Sequence, residues 1–390
     1  MRVNSLSRVL LFCCISSALL SAQSSFKRPI QTEQMPRLLR PGFHHPAIAP
    51  LTLQEREQLR AAAQSGTLET LPYWQGSFTI VDTSFNYTIL GNDPQTGGTV
   101  TIPTPIIPLR ITVSDYSVDG QNPIVFDATP AVPQVAGSPI FQVSDYITGY
   151  QQFGDAMLHA EFPDAAHGWH TLLQAIPYPA LDITIEPGGA QVFQTKSGQL
   201  FANILDDSDI DNAILTMLRS GAIPPQMYPI FISYNSSEHD AFGYHAAIFR
   251  KGGSEENVFA YSSWLIGLDD LFSIPSPDAA TLSHEVAETI HDAFNGDLAS
   301  LTVLWGDPFG HNRCFQNFIE VGDAVEDAPG NVQLHQQVVG LGNKARIYTL
   351  QNEATLPWFE RKTPSDALAA TYSFPDIWVL PAAAPYRCEQ

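Results

Sequence analysis

The sequence predicts an α+β protein built on a mixed sheet, and three observations carry that expectation. Charged residues make up only 15% of the 390-residue chain, against about 25% in ordinary soluble proteins, while prolines number 30. That composition argues for a loop-rich fold and against a helical bundle. Runs rich in Thr, Val, Ile and aromatics recur between Gly and Pro punctuation, as strands do. One sharply delimited helix follows three such runs directly.

Residues 1–22, MRVNSLSRVLLFCCISSALLSA, read as a secretory signal peptide. Arg2 and Arg8 supply the basic start, Val9 to Leu20 the apolar run, and small residues the cleavage region. The run is too short for a membrane span, and no other stretch is apolar enough, so an exported protein without an integral span is expected. Residues 23–73 read as an N-terminal extension. It is first proline-broken and then a short amphipathic helix, LTLQEREQLRAAAQSG. Residues 74–390 read as a single main domain.

Within that domain GSFTIVDTSFNYTIL, GGTVTIPTPIIPLRITV and NPIVFDA read as strands. A helix is expected around YITGYQQFGDAMLHAEF and a strand at LDITIEP. DDSDIDNAILTMLRSG reads as a capped helix closed by Gly221, whose acids suit a helix start better than a Ca²⁺ loop. MYPIFISY, GYHAAIFRK and NVFAYSSW read as strands leading into the helix SPDAATLSHEVAETIHDAFNG. A long irregular stretch then runs to about residue 318, followed by the strand ARIYTLQN and a proline-rich tail. HGWH (167–170) and the pair His44 and His45 suit loops or partly buried positions better than ligands.

The helix after the three strands should start at Ser276 as N-cap with Pro277 in the first turn, and stop at Gly296. Ala279, Leu282, Val286, Ile290 and Ala293 share one face at 100° per residue. His284, Glu288 and His291 stack along the opposite side, with Glu285 at the edge of their stripe. Such a stripe ordinarily faces water. Against that reading, residues 278–297 hold five acids and no Lys or Arg, whereas a solvated face intersperses both signs. Acids beside two imidazoles suit a bound cation.

The chemistry expected is that of a zincin-like active-site helix. His284 and Glu288, one turn apart, would reach the same ion at about 2.0–2.2 Å. Glu285 would stand beside the ion as general base toward metal-bound water. Zn²⁺ is the expected ion, although a carboxylate in place of a second histidine leaves another divalent ion open. A third ligand is required: Glu320 in NFIEVGDAVED comes first, with Asp323, His245 and His291 as alternates.

Cys314 and Cys388 form a candidate disulfide once Cys13 and Cys14 leave with the signal. Signal removal also takes two of the 19 basic residues and none of the 40 acids, leaving a net charge of −23. Nucleic acid and anionic lipid are therefore poor partners. No Gly-x-Ser-x-Gly elbow or Walker loop is present.

SHEVAETIHD with downstream IEVGD resembles a group of secreted proteins carrying Ser-His-Glu-x-x-Glu-x-x-Thr-Asp-Pro and then Glu-Ile-Gly-Asp. That group is similar to the plant EXORDIUM (phosphate-induced) proteins, which have His-Glu-Leu-Ala-Glu. FGYHAAI, FAYSSW, QQFGDAMLHAEF and LPWF followed by YSF extend the likeness over most of residues 150–375. The resemblance implies a metallopeptidase-like scaffold, with His284, Glu285, Glu288, Asp292, Glu320 and Asp323 at motif positions. His291 stands where the family has Thr, Ala293 where it has Pro, and residues 296–318 replace a short Trp-containing turn. Two functions compete: a secreted metal-dependent hydrolase acting on polypeptide, and a non-catalytic extracellular binding or surface-associated protein on the same scaffold. A glycoside-active enzyme with paired carboxylates is the weaker third.

Overall fold

The computed structural model describes residue 30 and residues 51–118, 123–239, 241–250, 255–269, 271–272, 277–294, 304–306, 308–309, 314–316, 319–326 and 328–381. The signal segment, Ser276, Gly296 and Cys388 lie outside them. Helix α1 (Leu53–Ser65) occupies the stretch expected to be amphipathic. Thr52 and Glu55 form a reciprocal capping box, and Gly66 closes the helix in the left-handed region at φ 68°. Strands β1 (Tyr73–Ile80) and β2 (Thr83–Leu90) form an antiparallel hairpin.

The main sheet is organised by β3 (Thr99–Val113), whose fifteen residues serve several neighbours in succession. Its C-terminal end pairs antiparallel with β4 (Ile124–Asp127). After helix α2 (Phe153–Glu161), β5 (His170–Pro177) pairs parallel with the first half of β3 and β6 (Leu181–Ile185) with the last part. Helix α3 (Asp207–Arg219) comes next, its N-terminal amide at Ser208 donating to Asp206 at 2.9 Å. Strand β7 (Ile230–Tyr234) runs parallel to β3 on one side and to β9 (Glu256–Trp264) on the other. Strand β8 (Gly243–Phe249) closes that edge antiparallel to β9. Both parallel and antiparallel pairs are present, so the α+β mixed sheet expected from the sequence is the one found.

Prolines inside β3 are tolerated for a positional reason. Pro103 turns its carbonyl toward the β7 side, where it accepts from Tyr228 N at 3.0 Å, and ladder pairing with β7 begins only at Ile106. The β7 side of β3 thus keeps the Tyr228–Pro103 bond, while Pro105, without an N–H, cannot add the matching bond and regular pairing starts just beyond it.

Alternation along the strands sends side chains to two cores. Phe231, Tyr244, Ala246, Phe259 and Tyr261 pack with Ile210, Ile214 and Leu218 of α3. Ile230, Ile232, Val258 and Ala260 face the other way, toward Leu282, Val286 and Ile290. Those last residues belong to helix α4 (Ala280–Asp292), the helix singled out by sequence. It packs on β8 and β9, with β2, α2 and the C-terminal hairpin around it.

That hairpin consists of β10 (Leu334–Val339) and β11 (Arg346–Gln351), followed by the two-residue strand β12 (Glu353–Ala354). The strand expected at ARIYTLQN is β11. The hairpin's first arm was not anticipated, nor were strands Ala190–Gln194 and Leu200–Ile204. Leu304–Gly306 and Cys314–Gln316 pair inside the stretch expected to be irregular. Among the described residues no helix is long and apolar enough to cross a membrane.

Candidate metal centre

Helix α4 is buried along its whole length, polar stripe included. His284 and Glu285 are both at 0% exposure, and Glu288 and His291 at 1%. The start of the helix also differs from expectation. It begins at Ala280 instead of the Pro277 turn, because Asp278 is held in the left-handed region by tertiary bonds. The Asp278 carboxylate accepts from Ala279 N and, at 2.8 Å, from Thr349 N of β11.

The side of α4 that would meet water is covered by residues 319–326, β11 and β12. Gly322 N and Asp323 N each donate to Glu288 Oε1 at 3.2 Å, so the IEVGD turn is pinned to the helix by its backbone. Gly322 has to be glycine. A Cβ there would lie 2.6 Å from Cε1 of the His284 ring, well inside van der Waals contact. Ser283 Oγ accepts from Gln351 N at 2.8 Å and docks β11 on the same turn.

Strand β8 delivers the opposing wall. Because Tyr244, Ala246 and Ile248 point into the α3 core, Gly243 and His245 point toward α4. A Cβ on Gly243 would meet the Glu285 carboxylate, so this glycine makes room for that side chain. His245 sits among three acids: its Nδ1 is 3.7 Å from Glu285 Oε2 and 3.5 Å from Glu288 Oε2, and its Nε2 is 3.9 Å from Glu320 Oε2.

Two triads of possible ligands result, and they share Glu288. One is His284, Glu288 and Asp323; the other is His245, Glu288 and Glu320. In the first, His284 Nε2 stands 3.1 Å from Glu288 Oε2 and 3.6 Å from Asp323 Oδ1. Donors about 2.0–2.2 Å from a tetrahedral ion lie about 3.3–3.6 Å apart, so the spacing suits a cation as small as Zn²⁺. His284 Nε2, His245 Nε2, Glu320 Oε2, Asp323 Oδ1 and both Glu285 oxygens are buried without a hydrogen-bond partner. Such orphaned groups are costly unless a cation or proton satisfies them.

The structure thus gathers six of the seven residues singled out by sequence and regroups them. Glu320, the first choice beside His284, belongs with His245, and Asp323 takes the place next to His284. His291 stands apart. Its Nε2 is 2.7 Å from Glu161 Oε2 and its Nδ1 donates to Ala287 O at 2.6 Å, an ion pair inside the core and not a ligand position. Cys314 lies on a short strand and Cys388 outside the described residues, so their pairing is untouched by this geometry.

Electrostatics follow from burial. Burial opposes charge on His284, yet Glu288, Glu285 and Asp323 drive its pKa well above the usual imidazole range. His245 is raised likewise, burial being outweighed by Glu320, Glu285 and Glu288. Glu288 is held below the usual carboxylate range; burial works against this, but the two imidazoles prevail. Burial first, and the Glu288 charge second, push Glu320 and Asp323 well up. With no cation, protons must do what a cation would do.

Two participants escaped sequence reading. Glu353 on β12 is fully buried with both oxygens orphaned, and burial lifts its pKa to about 8. Nothing in LQNEATLPWF marks it. Gln351 Nε2 donates to Gly322 O at 2.8 Å and lies 2.8 Å from His284 Nδ1, an orientation that fits a neutral ring with N–H at Nε2 and not the doubly protonated ring that the surrounding acids favour. An ion at Nε2 requires the opposite tautomer, with the Gln351 amide turned to accept from Nδ1–H. The sequence signal for Glu161 was faint but real: it extends the buried i, i+4 stripe of Phe153 and Met157.

A third cluster, Asp155, His159 and His170, is a brace. Asp155 accepts from His170 Nδ1 at 2.9 Å, Gln151 Nε2 at 3.0 Å and Thr171 N at 3.0 Å. The chain matches no family model, no curated protein and no solved structure.

Proposed function

We propose that the protein is an exported metal-dependent hydrolase acting on polypeptide, with a zinc-type ion held by His284, Glu288 and Asp323. The observation that carries this reading is the convergence of orphaned His284 Nε2 and Asp323 Oδ1 on Glu288, in a buried site without Lys or Arg. The motif likeness drawn from the sequence, carried by the same helix and the same 319–326 turn, points the same way. A bound ion would supply Lewis acidity and an acidified water.

The chain's own residues divide the remaining work. Glu288 and Asp323 bring negative charge to the ion. Gly322 and Asp323 amides fix the Glu288 carboxylate through its other oxygen. Glu285, adjacent to His284 and free at both oxygens, takes the proton-transfer role. Glu320, at 9%, is the most exposed of the ligand candidates, and a substrate would have to reach the site past it.

The test is Glu285→Gln in the zinc-loaded mature chain, assayed on an unfolded protein substrate. Hydrolysis should fall about 10²–10⁴-fold with the ion still bound. Unchanged hydrolysis removes Glu285 from the chemistry, and a zinc-loaded wild type without hydrolysis sinks the enzyme reading. Complete burial of His284 and Glu285 favours the second reading, a binding protein with a structural ion. Four protein donors closing the ion's coordination would decide for it.

A further inference from the structure

We infer that the site takes two divalent cations, with Glu288 bridging them: one on His284 and Asp323, the other on His245 and Glu320. This rests on the metal-binding part of the proposed function and extends it from one ion to two.

The geometry of Glu288 carries the inference. Its Oε2 lies between two imidazoles, 3.1 Å from His284 Nε2 and 3.5 Å from His245 Nδ1. Its Oε1 is committed to the Gly322 and Asp323 amides, which fixes the carboxylate with Oε2 turned inward. Each imidazole has a second acid beside it: Asp323 Oδ1 is 3.6 Å from His284 Nε2, the nitrogen that also faces Glu288, and Glu320 Oε2 is 3.9 Å from His245 Nε2, the nitrogen turned away from Glu288, with one ligand atom each of His245, Glu288 and Glu320 within 4.8 Å of one another. The arrangement is therefore two His–acid pairs facing each other across one shared oxygen. A single ion cannot serve both: either triad alone leaves an imidazole nitrogen and a carboxylate oxygen of the other orphaned in the core.

Charge points the same way. Glu285, Glu288, Glu320, Asp323 and Glu353 are all buried here, while no lysine or arginine is buried among the described residues. With neutral imidazoles and all five carboxylates ionised, one dication leaves three of these charges uncompensated and two dications leave one; Asp292 and Glu326, also buried beside Glu320 and Asp323, add to the negative charge. Uncompensated buried charge is among the costliest things a fold can hold. Two ions sharing a carboxylate at about 3.5–4 Å separation are a familiar hydrolytic arrangement, clamping both the attacking and the leaving oxygen. Three carboxylates and two imidazoles suit Zn²⁺ and comparable first-row dications.

The experiment is metal analysis of the full mature chain after saturation with Zn²⁺ and removal of excess, with a parallel Co²⁺ sample examined by magnetic resonance. Two ions per chain are expected, and the two cobalt ions should show magnetic coupling through their common carboxylate. His245→Ala should reduce the content from two to one and abolish the coupling. Glu320→Gln does the same if the histidine variant fails to fold. One ion per chain in the wild type, or two uncoupled ions of which neither is lost on these substitutions, overturns the two-ion site and leaves the single-ion reading intact. No ion at all removes both. Two zincs lost together by His284→Ala alone, with His245→Ala silent, also overturns it.

Discussion

Glu288 and His291 sit one turn apart in the same buried stripe, yet the fold gives them different work. The His291 ring bonds Glu161 at 2.7 Å, and Glu161 in turn accepts from Leu356 N at 2.8 Å, tying α4 to α2 and to the segment after β12. Burial opposes the charge on His291, but the Glu161 carboxylate raises its pKa overall. Truncation to His291→Ala leaves a carboxylate buried without its countercharge, which costs about 3–5 kcal/mol. Urea unfolding should record that loss while bound metal per chain stays unchanged. A drop in metal content would return His291 to the ligand set.

At the scale of elements, the hairpin of β10 and β11 is the clamp on the site. Its inner end supplies Gln351, Ser283 docks against it, and Asp278 is bonded to Thr349. Its first strand is fixed to the C-terminal segment by His335 Nδ1 bonded to Asp376 at 3.0 Å. Burial lowers the His335 pKa, but Asp376 and Gln337 raise it above its ordinary 6.5; the bond from His335 depresses Asp376 below 3.8. The raised imidazole stabilises the fold below about pH 6.5, an effect lost as pH rises through its folded value. The depressed carboxylate stabilises above about pH 3.8 and loses this as pH falls. His335→Ala should therefore cost most between those limits and little outside them. Both groups are partly solvated, so the peak cost is about 1 kcal/mol or less, read from urea midpoints across pH. A penalty independent of pH would leave packing, not the ion pair, as the contribution of His335.

For the molecule as a whole, an ion bound at the proposed centre would link metal to stability. The candidate ligands come from β8, α4, the 319–326 turn and the helix it starts, so an ion there would join segments far apart in sequence. Chelation of a zinc-loaded chain should lower its apparent stability by about 4 kcal/mol if free zinc had stood a thousandfold above its dissociation constant. The melting temperature should fall by several degrees and recover on readdition of Zn²⁺. Identical melting with and without chelator would mean that the buried acids are held by protons alone.

Much of this was legible along the chain, and the reasons are local. Runs of β-branched and aromatic residues between Gly and Pro marked β3, β7, β8 and β9, a period of 3.6 marked α4, and the acids at the start of DDSDIDNAILTMLRSG marked the beginning of α3. The absence of Lys and Arg from residues 278–297 set the polar stripe of α4 apart from an ordinary solvated face, and the stripe is buried. What no local pattern contained was the burial of the polar stripe, the removal of His291 to Glu161, the exchange of Glu320 for Asp323 beside His284, and the arrival of Glu353. Those depend on which segments, 34 to 130 residues apart in hydrogen-bonded pairs such as Gly322 with Glu288 and His291 with Glu161, are folded onto the helix. Periodicity fixes the direction in which a side chain leaves its own element. Only packing fixes what it meets there, because that is settled by the cores on both faces of the sheet and not by neighbours in the chain.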